Sequence, residues 1–157
     1  MIPVQVRYHF GASMALSAIY YGFSGSMIDS LGCLIGGVFI DTDHIFDFMI
    51  IHKFKEYSIK RFMNPQDWKR TPKIYLVFHS YECLIPCWIL FYLTGWTSFG
   101  LAFTIGFLTH LWMDQFLNRD FPIYPFSHFI LVKAYHKFQF DKLFQVHLFK
   151  DNNQNKR

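Results

Sequence analysis

The chain has 157 residues, a length that fits one domain, and a formal net charge of +4. Apolar residues make up 52% of it, aromatic residues 21% and charged residues only 17%, which excludes a disordered chain because disorder requires low hydrophobicity and high charge. The basic residues do not follow one patterned element, so we expect no nucleic-acid-binding module. The remaining classes are a very apolar soluble domain and a small membrane protein.

Charged residues are nearly missing from two long stretches. Within residues 10–40 the only charged side chain is Asp29, and within residues 74–113 the only one is Glu82. A helix needs roughly 20 apolar residues to cross a bilayer. Each stretch is therefore long enough for a helical hairpin rather than for a single span.

The two hairpins predict four apolar helices in an all-α bundle. Their predicted bounds are residues 11–28, 30–51, 74–94 and 98–117. Glycines at 32, 36 and 37 indicate close packing or a bend in the second helix. We expect a small helical bundle that is embedded in a membrane, with a shorter amphipathic segment at its C-terminus.

One domain and a short tail are expected. Residues 1–150 are predicted to form a single membrane-associated, metal-binding helical domain. Residues 151–157, with the sequence DNNQNKR, are predicted to be a flexible polar tail.

Basic residues are concentrated between and after the apolar stretches, in residues 53–73 and 133–157. Two hairpins place both basic segments on one side of a membrane, which the positive-inside rule identifies as the cytoplasmic side. We therefore expect an integral protein of the inner (cytoplasmic) membrane with membrane lipids as partners. The alternative is a soluble bundle whose helices pack around a polar centre. Oligomeric state is not predicted.

Three carboxylates and an imidazole follow the second apolar run, in GGVFIDTDHIFD. They are Asp41, Asp43, His44 and Asp47. Carboxylates placed so close together repel one another unless a cation or several donors offset their charge. A helix that starts here would use Asp41 as its N-cap, and such capping explains one or two of the four residues. Metal binding is the interpretation that covers all of them.

Three further apolar stretches carry histidines. His110 and Asp114 are four residues apart, so they share one helix face and can both bind a single cation. His79 and Glu82 are three apart on a predicted helix, where direct ligation and a buried hydrogen bond are equally compatible with the spacing. His9 stands alone near the start of a helix, a position that is usually structural.

The histidines are most informative as a set, since every predicted apolar helix carries one either within the helix or close to one of its ends. Four helices that converge on one centre give a mixed site of imidazole and carboxylate, which suits Zn²⁺ and also Mn²⁺ or Fe²⁺. No redox-specific ligand pattern is present, so zinc-like hydrolytic chemistry is the simplest expectation. His52, His136 and His147 lie in basic segments and are interpreted as surface residues.

The order of these motifs resembles that of the YdjM-type membrane-bound metal-dependent hydrolases, distant relatives of zinc-dependent phospholipases C and single-strand nucleases. The corresponding stretches are YHFGAS, GGVFIDTDH, FHSYE and GFLTHLWMDQF, followed by YPFSH. The resemblance implies an all-α, membrane-associated fold with a metal centre. The metal-site residues that it implies are His9, Asp41, Asp43, His44, His79, His110 and Asp114, with His128 as a looser match.

The resemblance and the motifs together predict a membrane-bound hydrolase that acts on a phosphoester or a lipid head group. One or two ions are expected, because the later His-x-x-x-Glu pair of the soluble phospholipases is absent: His136 and Asp141 are five residues apart. Asp43 or Glu82 is the predicted general base. The rival hypotheses are a non-catalytic membrane protein with a structural or ion-carrying centre, and a bundle whose polar groups only pair with each other.

Overall fold

A computed structural model describes residues 6–52, 58–62, 72–117 and 126–143. These residues are mainly helical and include no strand, with one isolated antiparallel bridge between Lys73 and Gln139. The predicted all-α class is confirmed. The helices are α1 Val6–Ser24, α2 Met27–Val38, α3 Thr42–His52, α4 Ile59–Phe62, α5 Leu84–Thr94, α6 Thr97–Leu117, α7 Ile130–Tyr135 and α8 Phe140–Leu143.

Two helical hairpins, α1–α2 and α5–α6, form the centre of the fold. Each turns at a glycine in the left-handed region, Gly25 with φ 65° and Gly95 with φ 75°, a backbone conformation that side chains disfavour. The hydroxyl of Tyr20 donates to the carbonyl oxygen of Ser98 at 3.2 Å, which ties the end of α1 to the start of α6. Both turns therefore lie at the same end of the bundle.

Helices α2 and α6 pack with their backbones in contact. A Cβ atom on Gly36 would collide with the backbone carbonyl of Phe103, and one on Gly106 would collide with that of Cys33. Helices approach this closely only where the side chains between them are missing. The close packing predicted from the glycine pattern of the second helix is confirmed.

The predicted helix over residues 74–94 is wrong in its first half. Residues 72–80 are not helical, a 3-10 turn follows at Tyr81–Cys83, and α5 begins at Leu84. His79 and Glu82 therefore do not share an α-helix. The physical reason is that backbone N–H groups of this segment donate to carboxylates of α3 instead of to helical carbonyls.

Two other predicted helices differ from the observed ones. The first ends at Ser24 rather than at residue 28, because Gly25 stops it. The second is interrupted in its middle by a 3-10 turn at Phe39–Asp41, after which α3 begins at Thr42. This break brings Asp41 beside the helix α6.

Two apolar clusters hold these elements together. One joins the 3-10 turn at Phe39–Asp41 to α6 and consists of Ile40, Phe103, Phe107 and Leu111. The other holds the 72–80 segment and α8 against α3 and consists of Phe48, Ile74, Leu76, Phe140 and Leu143. Many large apolar side chains remain exposed on α1, α2, α5 and α6. In the described part of the chain, no helix has both the length and the apolar character needed to cross a membrane.

The C-terminal segment is described as far as Leu143, where α7 and α8 form its short helices. The predicted polar tail and His147 lie outside the described residues, as does the side chain of His52.

Candidate metal centre

Three imidazoles meet at the carboxylate of Asp114. Its Oδ1 lies 3.3 Å from Nε2 of His9, and its Oδ2 lies 3.2 Å from Nε2 of His110 and 3.4 Å from Nε2 of His79. His9 comes from α1, His110 and Asp114 from one face of α6, and His79 from the 72–80 segment. All four are at least nine-tenths buried. The structure thus brings together groups that are far apart in the sequence.

A second carboxylate faces the same nitrogens. Oδ1 of Asp41 lies 3.5 Å from Nε2 of His110, and it is 3.9 Å from Nε2 of both His79 and His44. Oδ2 of Asp41 is buried and has no hydrogen-bond partner among the described residues.

The hydrogen bonds behind the rings determine which nitrogens are free to bind. Nδ1 of His110 lies 2.7 Å from the carbonyl oxygen of Gly37, which only accepts, so this nitrogen carries the hydrogen and Nε2 carries a lone pair when the ring is neutral. Nδ1 of His79 lies 3.3 Å from Oδ2 of Asp43, which orients that ring in the same way. Such partners on the far side of a ring are typical of metal-binding histidines.

As a result, two nitrogens without hydrogens lie close together when both rings are neutral. Nε2 of His79 and Nε2 of His110 are 3.3 Å apart. Neither has a hydrogen to donate in its neutral form, so the pair is repulsive unless a cation lies beside it. A proton or a metal ion removes the repulsion, and the two nearby carboxylates compensate the added charge.

The donor set fits a divalent metal ion. Two groups of three residues have potential ligand atoms that lie within 4.8 Å of one another inside each group. One group is His9, His110 and Asp114, and the other is Asp41, His79 and His110. The groups share His110, so the same side chains suit one ion or two. Buried imidazole and carboxylate ligands together suit Zn²⁺, Mn²⁺ or Fe²⁺. Oδ2 of Asp41, buried without a partner among the described residues, leaves the centre with one acceptor that these residues do not satisfy.

The pKa values around Asp114 reflect this arrangement. Burial alone would raise the pKa of its carboxyl group, but hydrogen bonds from His110 and His9 hold that pKa well below its usual range. The pKa of His110 is raised because Asp114 and Asp41 outweigh the effect of burial, whereas burial and the neighbouring histidines lower the pKa of His79 far below 6.5. A proton in this centre is therefore expected on His110 before His79.

Two carboxylates of α3 hold the segment that carries His79. Oδ2 of Asp47 accepts from the backbone N–H groups of Tyr75 and Leu76 at 2.6 and 2.9 Å, and Oδ2 of Asp43 accepts from the N–H of His79 at 3.0 Å. Burial raises the pKa of Asp43 to about 6, and the hydrogen bond from the backbone N–H of His79 opposes the rise. Asp43 therefore lies behind the His79 ring and in neither group of potential ligands.

Lys133 holds the same segment from its carbonyl side. Its Nζ donates to the carbonyl oxygens of Leu76 and His79 at 2.6 and 2.8 Å and to the hydroxyl of Ser80 at 2.8 Å. Burial lowers the pKa of its ammonium group to about 8, although Asp43 and other acidic groups oppose the shift. Lys133 is the first residue of the basic segment 133–157, but it does not belong to a basic surface, since its side chain is only 3% exposed.

The remaining candidates lie around the centre. The ring of His44 contacts that of His79 edge-on, with centroids 4.9 Å apart. His128 is buried: its Nδ1 lies 3.3 Å from the carbonyl oxygen of His79, and its Nε2 has no partner among the described residues. Glu82 is directed elsewhere, because its Oε1 accepts from the backbone N–H of Ile130 at 2.9 Å, and it belongs to neither group.

Two functional features escaped the sequence analysis. The carbonyl of Gly37 orients His110, and no side-chain pattern reports a backbone acceptor. Lys133 had a signal that was available, because it is the only ionised residue in the apolar run FSHFILVKAY. A lysine in such a run is either buried with partners or extends to the surface.

Comparison of the chain with protein-family models, with curated proteins and with solved structures finds no match. The resemblance to YdjM-type hydrolases, which depends on the order of short motifs, therefore stays a prediction. What the structure adds is a buried cluster of histidines and aspartates that could hold a metal ion.

Proposed function

We propose that this protein is a membrane-associated, metal-dependent hydrolase that acts on a phosphoester. The observation that carries the proposal is the convergence of three buried histidine Nε2 atoms on the carboxylate of Asp114, at 3.2 to 3.4 Å. His9, Asp41, His79, His110 and Asp114 are the residues that would hold the ion.

Backbone and side-chain groups of the protein have separate roles around that ion. The carbonyl of Gly37 and the carboxylate of Asp43 fix the rings of His110 and His79, so that their Nε2 atoms stay directed inward. When bound, a zinc-like ion supplies a Lewis acid that polarises a phosphoryl oxygen and lowers the pKa of water. The identity of the metal is part of the proposal, with Zn²⁺ favoured over Mn²⁺ and Fe²⁺ because the ligand set is rich in imidazole.

A proton acceptor is needed as well. The sequence suggests Asp43 or Glu82, but both are engaged, Asp43 by His79 and Glu82 by the backbone of Ile130. Oδ2 of Asp41 is the better placed group, because it lies beside the centre without a partner of its own among the described residues. We assign to it the removal of a proton from the attacking water.

Membrane association is supported by the surface of the bundle. Large apolar side chains such as Phe23, Tyr92 and Leu93 are exposed, which is costly in water and favourable in lipid. The integral location in the inner membrane, with the basic segments in the cytoplasm and lipids as partners, stays part of the proposal. The implied substrate class is a small-molecule or lipid phosphoester.

Metal analysis with activity assays tests the function. The protein is purified in detergent, its bound metals are measured by mass spectrometry, and turnover is assayed on a panel of phosphodiesters and phospholipids. We expect a stoichiometric divalent metal and hydrolysis of at least one substrate, with both lost in H110A. A wild-type protein that binds no metal when Zn²⁺, Mn²⁺ and Fe²⁺ are supplied would contradict the proposal.

The second candidate function is a non-catalytic membrane protein with a structural or ion-carrying centre. The burial of His9, His79 and His110, each at most 2% exposed, favours this alternative because structural sites are closed to substrate. Metal at full occupancy with no turnover across the whole panel would support it over the hydrolase.

A further inference from the structure

The end of the bundle that carries the Gly25 and Gly95 turns is covered by exposed apolar side chains. Six of them, which we call the apolar tip, are between 54% and 90% exposed: Phe23, Met27, Ile28, Tyr92, Leu93 and Trp96. They come from α1, α2, α5 and the turn before α6, so they surround the tip instead of lying on one face. A protein partner covers a face, whereas a lipid bilayer surrounds whatever enters it.

The distribution of charged residues along the chain is consistent with an apolar tip. Asp29, which is half-buried, is the only charged residue in positions 10–40, and positions 83–113 contain none. Exposed lysines such as Lys73 and Lys142 belong to the elements that pack against α3, and not to the helices that form the tip. Lysines outside the tip can attract anionic headgroups.

The short helices have the length of one leaflet. At a rise of 1.5 Å per residue, α2 is about 18 Å long and α5 about 17 Å. The hydrocarbon core of a bilayer is about 30 Å thick, so a single leaflet contributes about 15 Å. Each hairpin contains one such short helix, and that helix reaches from the headgroups to the middle of the bilayer.

The distance from the tip to the metal centre is slightly greater than the thickness of one hydrocarbon leaflet. Along α6 the distance from Thr97 to His110 is about 20 Å, and along α1 the distance from Ser24 back to His9 is about 22 Å. The two helices agree, as they must if His9 and His110 stack on one another. With the tip at the middle of the bilayer, the centre lies just outside the hydrocarbon, among the headgroups.

From this geometry we infer that the apolar tip inserts into a single leaflet and sets the metal centre at the level of the lipid headgroups. The substrate class that follows is a phosphoester of a lipid held in the same leaflet. This statement about the substrate rests on the proposed function, whereas the insertion does not.

Two tryptophans at different heights test the insertion. Trp96 in the tip and Trp112 beside His110 are 54% and 55% exposed, so they start from equal exposure. Variants that keep only one of them, with the other tryptophans changed to Phe, are bound to vesicles of phosphatidylcholine and phosphatidylglycerol that contain lipids brominated at different depths. We expect Trp96 to be quenched most by bromines near the chain ends and Trp112 most by bromines near the headgroup.

Three results would overturn the inference. Equal depths for Trp96 and Trp112 mean that the bundle lies flat, and quenching of Trp96 at the headgroups of the opposite leaflet means that it spans. Quenching of both only by aqueous acrylamide, with a dimer in light scattering, means that a second copy covers the tip.

A pair of charge insertions tests the tip without removing a tryptophan. F23D places a charge at the most exposed tip residue, and we expect it to weaken vesicle binding at least about tenfold. Y135D is the matched control, since Tyr135 is 83% exposed on α7, and we expect unchanged binding. Equal loss in both variants, or no loss in F23D, would contradict insertion through the tip.

The two proposals fail in different ways. Depth-dependent quenching without hydrolysis of vesicle lipid by the Zn²⁺-loaded protein leaves the insertion intact and rejects the hydrolase. Hydrolysis of a water-soluble phosphodiester without any vesicle binding rejects the insertion and leaves the hydrolase. Release of headgroup product from vesicles by wild type, reduced in F23D in proportion to its lost binding, supports both.

Discussion

The ring of His9 stacks on the ring of His110, with centroids 3.9 Å apart and 25° between the planes. Their Nε2 atoms reach the two different oxygens of Asp114, at 3.3 and 3.2 Å. The stack thus ties histidines from two different helices to one carboxylate. Asp114 is thus the group on which the whole histidine cluster depends.

Replacement of Asp114 by asparagine tests that dependence. D114N keeps the shape of the side chain but removes its charge and one acceptor oxygen, so we expect the metal dissociation constant to rise by more than about 100-fold, beyond the usual effect of a residue behind a ligand. Isothermal titration with Zn²⁺ measures this, and circular dichroism checks the fold. D141N, at an exposed aspartate of α8, is the control. Equal affinity in D114N and wild type would remove Asp114 from the site.

Metal affinity is expected to fall in mild acid. The pKa of His110 is raised above 6.5, because the hydrogen bond and charge of Asp114 outweigh burial. A proton therefore occupies the cluster as the pH drops through the pKa of His110. An ion must displace this proton, and the logarithm of the dissociation constant should rise by about one for each pH unit below the pKa. The carboxylate of Asp114 stays ionised throughout, since its pKa is held well below 3.8. A dissociation constant that is constant from pH 5.5 to 7.5 would contradict this protonation scheme.

The helices and most of the cluster could be predicted from the sequence, because apolar runs, glycine turns and the four-residue spacing of His110 and Asp114 are local signals. The 72–80 segment could not. Its apolar pattern is compatible with a helix, but its N–H groups are taken by Asp43 and Asp47, about 30 residues earlier in the chain. A competition between helical carbonyls and distant carboxylates is decided by tertiary structure.

The same limit applies to the roles within the aspartate cluster. Asp41, Asp43 and Asp47 look alike in the sequence, yet Asp41 faces the histidines while the other two bind backbone N–H groups. The 3-10 turn at Phe39–Asp41 separates them, since it directs Asp41 toward α6 before α3 begins. Their chemistry depends on orientation, which residue type alone does not report.

Lys133 is expected to contribute strongly to stability. K133M keeps the length of an apolar stem but removes three hydrogen bonds to buried acceptors, and we expect it to lower the free energy of unfolding by about 3 kcal/mol. K142M, at an exposed lysine of α8, should change it by less than about 0.5 kcal/mol. Chemical unfolding in detergent compares them. Equal stability of the two variants would show that the 72–80 segment does not need Lys133.

Metal binding should weaken in K133M as well, because Lys133 holds the carbonyl of His79. We expect an increase in the Zn²⁺ dissociation constant of about 10-fold or more, as for other groups that orient a ligand. The measurement is made under conditions where the variant is folded. Unchanged affinity in folded K133M would limit the role of the lysine to stability.

The backbone contact between α2 and α6 gives the last prediction. A Cβ at Gly36 meets the carbonyl of Phe103, a rigid backbone group, so G36A must push the two helices apart. We expect a loss of at least about 2 kcal/mol in the free energy of unfolding. G22A is the matched control, because Gly22 also lies in a helix but has open space around its Cβ position, and the change should stabilise α1 by about 0.5–1 kcal/mol. Gly37 follows Gly36 and orients His110, so G36A should also weaken Zn²⁺ binding while G22A leaves it unchanged. If G36A is as stable as G22A and binds Zn²⁺ equally well, the helices are not in backbone contact and the geometry of the metal centre does not depend on their packing.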